Sequence, residues 1–315
     1  MALYDSHGSA DKLYLDGEWI KGGGGSRDVV NPSDGGTLGS TGIADTGDVD
    51  RAVQAGRAAQ LAWAEAPFDD RAKVLRKAGH LLEENAAECA DWLTREADSA
   101  RGKAGFEAGL VATEAHLAAA LALAPTGQIL RTARPRLSLA QRVPVGVVGV
   151  ISPFNFPGVL SMRSVAPALA LGNAVVLKPD HRTAIAGGLF LAAVFEQAGL
   201  PKGLLSVLPG GADVGTALVE HPDVRVISFT GSTSVGRKIG ETAGRLLKRA
   251  HLELSGNNAL VVLDDVDVDA AVSAGAWGAY STRGRSAWPR GATSYTALFT
   301  TGTSTAWRRR PNGCP

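Results

Sequence analysis

The stretch Pro144–Thr183, PVGVVGVISPFNFPGVLSMRSVAPALALGNAVVLKPDHRT, reads as one strand, loop, helix, strand unit. VGVVGVI is a short β-branched run. Pro157–Leu171 is helix-like, with Pro157 suited to its first turn and Gly172 to the position just past its end. AVVLK is a second continuous apolar run, as a strand buried on both faces of a sheet requires. Downstream, Ile185–Gly199, Leu204–Leu208, Val214–Glu220 and Val224–Phe229 continue the alternation. The pattern predicts an open α/β fold, a parallel sheet with helices on both faces.

Upstream, Leu13–Ile20 reads as a strand, an Asp16-Gly17 turn and a return strand, because that dipeptide tolerates the positive φ of a tight hairpin. Asp48–Ala64 and Arg71–Glu96 carry apolar residues at helical intervals. In the second, Val74, Leu75, Ala78, Leu81, Leu82, Cys89 and Leu93 fall on one stripe, so Cys89 is expected in the core with its thiol protonated. Gly105–Ala124 predicts a further, alanine-rich helix. Gln128–Val143 alternates apolar and polar residues on either side of Pro135, which predicts a β-hairpin.

The 315 residues are 45% hydrophobic, enough for one large or two ordinary domains with sizeable cores. Thirty-two basic against thirty-one acidic residues leave a net charge of +1, which speaks against nucleic acid or an anionic membrane as partner. No stretch reaches the roughly eighteen apolar residues that span a bilayer, and the N-terminus lacks a basic region followed by an apolar run. A soluble, cytoplasmic protein is the expectation. Cys89 and Cys314 are the only cysteines, and no two of the six histidines have ligand spacing on one helix, so neither a disulfide framework nor a metal is expected.

Several residues have both a chemical and a plain structural reading. Asn155, in the PFNFP loop after a strand, is placed to donate a side-chain N–H to an oxyanion, or to cap the helix that starts at Pro157. Glu253, between Leu252 and Leu254 in HLELSGNN, is expected to have a raised pKa in an apolar turn, as suits a general base; otherwise it is a half-exposed strand glutamate. Lys178 ends a strand at the edge where α/β folds bind nucleotides, or is solvated charge. Ser232 opens a helix whose N–H groups and dipole favour pyrophosphate, and also suits simple N-capping. The G-x-G-x-x-G pattern is absent, and Gly210-Gly211 before Val214 is a weak phosphate signal.

Pro144–Thr183 and Phe229–Asn258 (FTGSTSVGRKIGETAGRLLKRAHLELSGNN) resemble the NAD(P)-dependent aldehyde dehydrogenase superfamily, and the likeness runs over residues 11–280. It implies an aldehyde dehydrogenase-like fold: a Rossmann-type, open parallel-sheet cofactor domain over 11–126 and 144–254, a projecting oligomerisation hairpin over 127–143, and the start of an incomplete catalytic domain over 255–280. It implies oxidation of a small-molecule aldehyde to the acid, with Asn155 as oxyanion donor and Glu253 as general base. The first motif looks most like the benzaldehyde or vanillin type. It further implies a nucleotide held by Ile151, Ser152, Pro153 and Phe154 after one strand and by Lys178, Pro179 and His181 after the next. Gly211, then Phe229, Thr230, Gly231 and Ser232, and finally Leu254 would complete that site. Ser255 replaces the first glycine of the family's E-L-G-G motif. His181 stands where many NAD-preferring relatives carry a glutamate; losing that carboxylate removes repulsion against a 2′-phosphate, which Arg182 is placed to assist, so NAD or NADP is expected. Homo-oligomers are implied for the intact family.

The family's nucleophile is a cysteine shortly after the carboxylate, and this chain has none between Glu253 and Cys314. Ser281–Pro315 contains arginine but no Asp, Glu, Lys, Val or Ile, unlike the preceding residues. Encoding Ser281–Pro289 as TCC ACC AGG GGC AGA TCT GCA TGG CC and restoring one C before it gives Leu-His-Gln-Gly-Gln-Ile-Cys-Met-Ala, the family's cysteine motif. Residues 281–315 are therefore read as an out-of-frame tail, following loss of one base at the Tyr280/Ser281 boundary in the gene or in its sequencing. The alternative is a genuine non-catalytic nucleotide-binding fragment, or the product of a decayed gene.

Overall fold

The computed structural model describes residues 3–4, 10–256, 260–263 and 265–280. The tail 281–315, with Cys314, lies outside the described residues. The chain opens with β1 (Lys12–Leu15) and β2 (Glu18–Lys21), antiparallel about Asp16 (φ 53°) and Gly17 (φ 73°) as the dipeptide predicts. β3 (Ser26–Val30) and β4 (Thr37–Gly42) form a separate ribbon. α1 (Thr46–Glu65) then starts on a reciprocal cap, in which Asp45 Oδ1 accepts from Asp48 N (2.9 Å) and Asp48 Oδ2 from Asp45 N (3.0 Å).

The single helix expected over Arg71–Glu96 is two: α2 (Phe68–Glu84) and α3 (Ala86–Arg95). Asn85 separates them: its backbone leaves the helical region (φ −108°, ψ 23°), and both its N–H (3.0 Å) and its side-chain amide (2.7 Å) donate to the Leu81 carbonyl. Cys89 is buried on α3, as the apolar stripe requires. α4 (Arg101–Ala122) is followed by β5 (Gly127–Ile129) and β6 (Leu139–Gln141), the predicted hairpin. Its apolar residues Ile129, Leu137, Leu139 and Val143 are all exposed, with no cover among the described residues.

The α/β alternation follows as β7 (Val147–Ile151), α5 (Pro157–Ala170), β8 (Ala174–Lys178), a π-helical turn at Ile185–Leu189 running into α6 (Phe190–Ala198), β9 (Leu205–Val207), α7 (Ala212–Glu220), β10 (Val224–Gly231), α8 (Thr233–Arg245) and β11 (Arg249–Leu254). α9 (Val268–Tyr280) ends the described chain, and Trp277 on it meets Phe106 of α4 edge to face, with ring centroids 6.5 Å apart. The seven-stranded sheet runs β11-β10-β7-β8-β9-β1-β2, parallel from β11 to β9 and antiparallel over the last two. α1, α7 and α8 cover one face. On the other face α5, the π-helical turn and α6 lie on the sheet, backed by α2 and α4. All five residues of β8 are buried, as a central strand covered on both faces demands. Side chains fasten the C-terminal end of α5: Trp63 Nε1 donates to the Leu169 carbonyl (2.8 Å) and Gln60 to that of Gly172 (2.9 Å). The Leu169 carbonyl also accepts from Gly172 N (3.0 Å), and the two side-chain donors of α1 add a tie between that helix and the end of α5.

Candidate active site

Strand order reverses between β7 and β10, and in an open α/β sheet ligands bind outside the carboxyl ends of the strands at that switch point. Register aligns this edge. Lys178 of β8 pairs with Ile151 of β7, Ile151 with Phe229 of β10, and Phe229 with Leu252 of β11, in one row across the sheet. One residue further on, Ser152, Thr230 and Glu253 form the rim. Ser152 and Glu253 are two strand spacings apart, about 10 Å.

The loop after β7 carries Ser152, Pro153, Phe154 and Asn155. The capping alternative for Asn155 does not hold: the N-cap of α5 is Phe156, and the first-turn N–H groups of that helix are met by Glu107 of α4. Asn155 is half-buried, and its side-chain amide makes no hydrogen bond among the described residues. Its backbone is fixed from below. Lys103 of α4 donates through Nζ to the Asn155 carbonyl (2.9 Å) and to Ser99 Oγ (3.0 Å), pairs with Glu107, and sits 4.0 Å from the centre of the Phe156 ring. Glu107 in turn accepts from Gly158 N (2.9 Å) and Val159 N (3.3 Å), the orphan donors of the first turn of α5. Both side chains are buried; desolvation pushes Lys103 down and Glu107 up, and their mutual attraction opposes both shifts. Sequence reading missed this pair. Its trace is a Lys and a Glu four residues apart on the buried stripe of an alanine-rich helix, with Ala104, Ala108 and Val111.

After β8, Lys178 is buried, which pushes its pKa down, while Asp180 and Asp213 pull it back up. Its Nζ reaches only the Pro179 carbonyl, at 3.4 Å. The 2′-phosphate role for Arg182 meets a competitor: its guanidinium forks onto Asp180 (2.8 and 2.7 Å) and stacks 3.9 Å from the centre of Phe154. His181 has its pKa lowered, chiefly by burial. A cavity of about 270 Å³ opens beside these residues, lined by Arg27, Val29, Glu96, Phe154, His181 and Arg182 among others; neither Asn155 nor Glu253 lines it. Glu96, fully buried, accepts from Ile185 N (3.0 Å) and Ala186 N (2.7 Å), and burial pushes its pKa up to about 7.

Gly211 precedes α7 and Ser232 precedes α8, so both helix N-termini open onto the carboxyl edge. Ser232 Oγ accepts from Val235 N (3.4 Å), which is the N-capping expected of it. On β11, Leu252 and Leu254 face α8. A β-carbon on Gly236 would lie 2.2 Å from Leu254 Cδ2, so only glycine admits that contact. Strand alternation turns Glu253 to the opposite face, the face on which Ser228, two residues before Thr230, meets Ser164 of α5 (2.8 Å).

The apolar turn expected around Glu253 is not there. Its side chain is 65% exposed and 3.2 Å from His251, and its flanking leucines point away from it. Cys89 is removed from this edge on α3, and burial pushes its thiol up to about 12. Sequence spacing also gave no reason to expect metal ligands, yet the packing of α2 on α4 gathers His80, Glu83 and His116. No helix among the described residues is long and apolar enough to cross a membrane.

Residues 19–289 match the sequence profile of the aldehyde dehydrogenase family. Vanillin dehydrogenase of an Amycolatopsis species is 58% identical over 269 residues, and benzaldehyde dehydrogenase [NAD(+)] of Pseudomonas putida 53% over 268; each alignment takes in 85% of this chain and 55% of the relative. The chain thus spans about half the length of the curated relatives it matches. The crystal structure of an NAD-dependent benzaldehyde dehydrogenase from Corynebacterium glutamicum superposes with a TM-score of 0.86 at 38% identity, over 95% of this chain and 66% of that one. With the carboxyl-edge architecture above, these similarities establish that the chain belongs to the aldehyde dehydrogenase family.

Proposed function

We propose that the gene encodes an enzyme that oxidises an aromatic aldehyde to its acid with NAD or NADP, and that this 315-residue chain binds the nucleotide without turning over. An aldehyde gives up hydride readily only after a nucleophile converts its carbonyl into a tetrahedral oxyanion. The reaction therefore needs a thiolate, donors for the oxyanion, and a base that activates water for release of the acyl group. Asn155 is the donor in this reading and Glu253 the base. The observation that carries it is Asn155 itself: a half-buried amide with no internal hydrogen bond, whose backbone is held at the switch point by a buried ion pair. The names of the similar vanillin and benzaldehyde dehydrogenases support the aromatic substrate class.

Among the described residues the one thiol is Cys89, and a thiol titrating near 12 is not a nucleophile at neutral pH. The missing thiol is the cysteine of the motif recovered by restoring one base before Ser281. Residues 11–126 and 144–254 make the nucleotide-binding domain, 127–143 the oligomerisation hairpin and 255–280 the entry to the catalytic domain, in a cytoplasmic homo-oligomer. Exposure of Glu253 fits this division, since the apolar walls that would enclose it belong to the re-framed part.

The test is the base-restored protein with benzaldehyde. Asn155→Ala should slow hydride transfer about a hundred- to a thousandfold, the usual effect of losing one oxyanion donor, and Glu253→Gln should slow acyl release. Turnover of Asn155→Ala within a factor of about two of the parent refutes its assignment. The second reading, a nucleotide-binding fragment or decayed-gene product, is favoured instead if the gene reads as given.

A further inference from the structure

We propose that His80, Glu83 and His116 form a site for a first-row transition-metal ion, zinc foremost, that clamps α2 to α4. His80 and Glu83 stand one turn apart on α2, and His116 faces them from α4. His80 Nδ1 lies 3.3 Å from one Glu83 oxygen and His116 Nε2 lies 3.0 Å from the other; all three donor groups fall within 4.8 Å of one another. Zinc bound tetrahedrally at about 2.0–2.2 Å from each donor holds its ligands about 3.3 Å apart, close to the spacing at which each imidazole already stands from one Glu83 oxygen. Two imidazoles and a carboxylate suit zinc, cobalt, nickel or copper, and do not suit magnesium or calcium, which prefer all-oxygen shells.

Packing fixes the third ligand. The His116 ring lies directly on the backbone of Gly79, where a β-carbon would come within 2.5–2.8 Å of three ring atoms. Any residue but glycine there would push the imidazole off Glu83. The two imidazole rings meet edge to face, with centroids 5.1 Å apart and planes at 64°. Side-chain exposures of 65%, 54% and 32% for His80, Glu83 and His116 leave an entry path and room for a water as fourth ligand.

The site is remote from the nucleotide edge and joined to it mechanically. His116 lies nine residues beyond Glu107 on α4, about 14 Å along the helix, and Glu107 and Lys103 hold the Asn155 loop. An ion here therefore staples the helix that supports the oxyanion donor. Because the unfolded chain does not assemble the triad, binding must stabilise the fold.

The experiment uses the tag-free 315-residue chain stripped with EDTA, followed by thermal denaturation with zinc and by visible absorption with cobalt. The expected result is a rise of several degrees in Tm at one equivalent of zinc, reversed by EDTA, and cobalt bands of a four-coordinate site. His80→Gln and His116→Gln should each weaken cobalt binding at least about tenfold, with the Tm of His80→Gln in EDTA within about a degree of the parent, since His80 is exposed. No zinc-dependent shift in the parent would overturn the proposal. So would an equal shift in His80→Gln, which would put the ion elsewhere, or an equal response to magnesium.

Discussion

Replacing Lys103 by Met keeps the apolar stem of the side chain and removes its charge, in a place where four groups converge on one ammonium. Glu107, Ser99 Oγ, the Asn155 carbonyl and the Phe156 ring all lose their partner at once. Breaking a buried ion pair from one side typically costs 3–5 kcal/mol, because the remaining charge stays buried. Glu107 keeps its two backbone donors, which places the cost near the lower end, about 3 kcal/mol. Glu107→Leu should cost a similar amount, leaving Lys103 buried against Ser99 and Asn155 alone. The double variant leaves neither charge stranded, so its cost should fall short of the sum by about 1.5–3 kcal/mol. Urea unfolding of the four proteins, followed by far-ultraviolet circular dichroism, gives the cycle. Additivity within about 0.5 kcal/mol would refute the reasoning, since it would mean that the two side chains do not share one energetic unit.

Three further outcomes follow from the same geometry. Glu96 has a folded pKa of about 7, above its ordinary 4.5, so its contribution to stability is fully present below about pH 4.5 and is lost as pH rises through about 7. Glu96→Gln does not titrate, and the Tm advantage of the parent over it should therefore shrink from pH 5 to pH 8; an advantage that grows with pH would mean that the two N–H bonds outweigh desolvation. Lys178→Met should weaken NAD binding by this chain about ten- to a hundredfold in calorimetry, the loss of one charged hydrogen bond to the nucleotide, and unchanged affinity would remove Lys178 from the site. Ile129→Asp with Leu139→Asp should lower the molar mass measured by light scattering, because the exposed apolar residues of the hairpin have no cover among the described residues; an unchanged mass would place the subunit contact elsewhere.

The hairpins at Leu13–Ile20 and Gln128–Val143 and the alternation after Pro144 were readable because they depend on local signals: β-branched runs, Asp16-Gly17, and glycines at helix ends; the mostly exposed β3–β4 ribbon carries no such signal and was missed. The division of α2 from α3 was not, since it turns on the backbone of one residue, Asn85, whose side chain and N–H both close on the Leu81 carbonyl. For Lys178 and Ser232, sequence position at a strand end or a helix start already specified the edge they occupy. Leu252 and Leu254 do not enclose Glu253, because adjacency in a strand puts side chains on opposite faces. Lys103 with Glu107, and His80 with Glu83 and His116, depend on helix-to-helix packing, and no single-helix spacing displays them. Each left a faint mark all the same. Charged residues on a buried stripe must be paired, and a glycine inside a helix asks what lies upon it.

If the catalytic thiol lies one base out of frame, as proposed, resequencing the source DNA across the Tyr280/Ser281 codons will expose it. The predicted result is one additional base there, opening a reading frame through Leu-His-Gln-Gly-Gln-Ile-Cys-Met-Ala. A gene that reads as given, encoding Ser281–Pro315 without that base, would contradict the claim and leave a nucleotide-binding chain with no nucleophile.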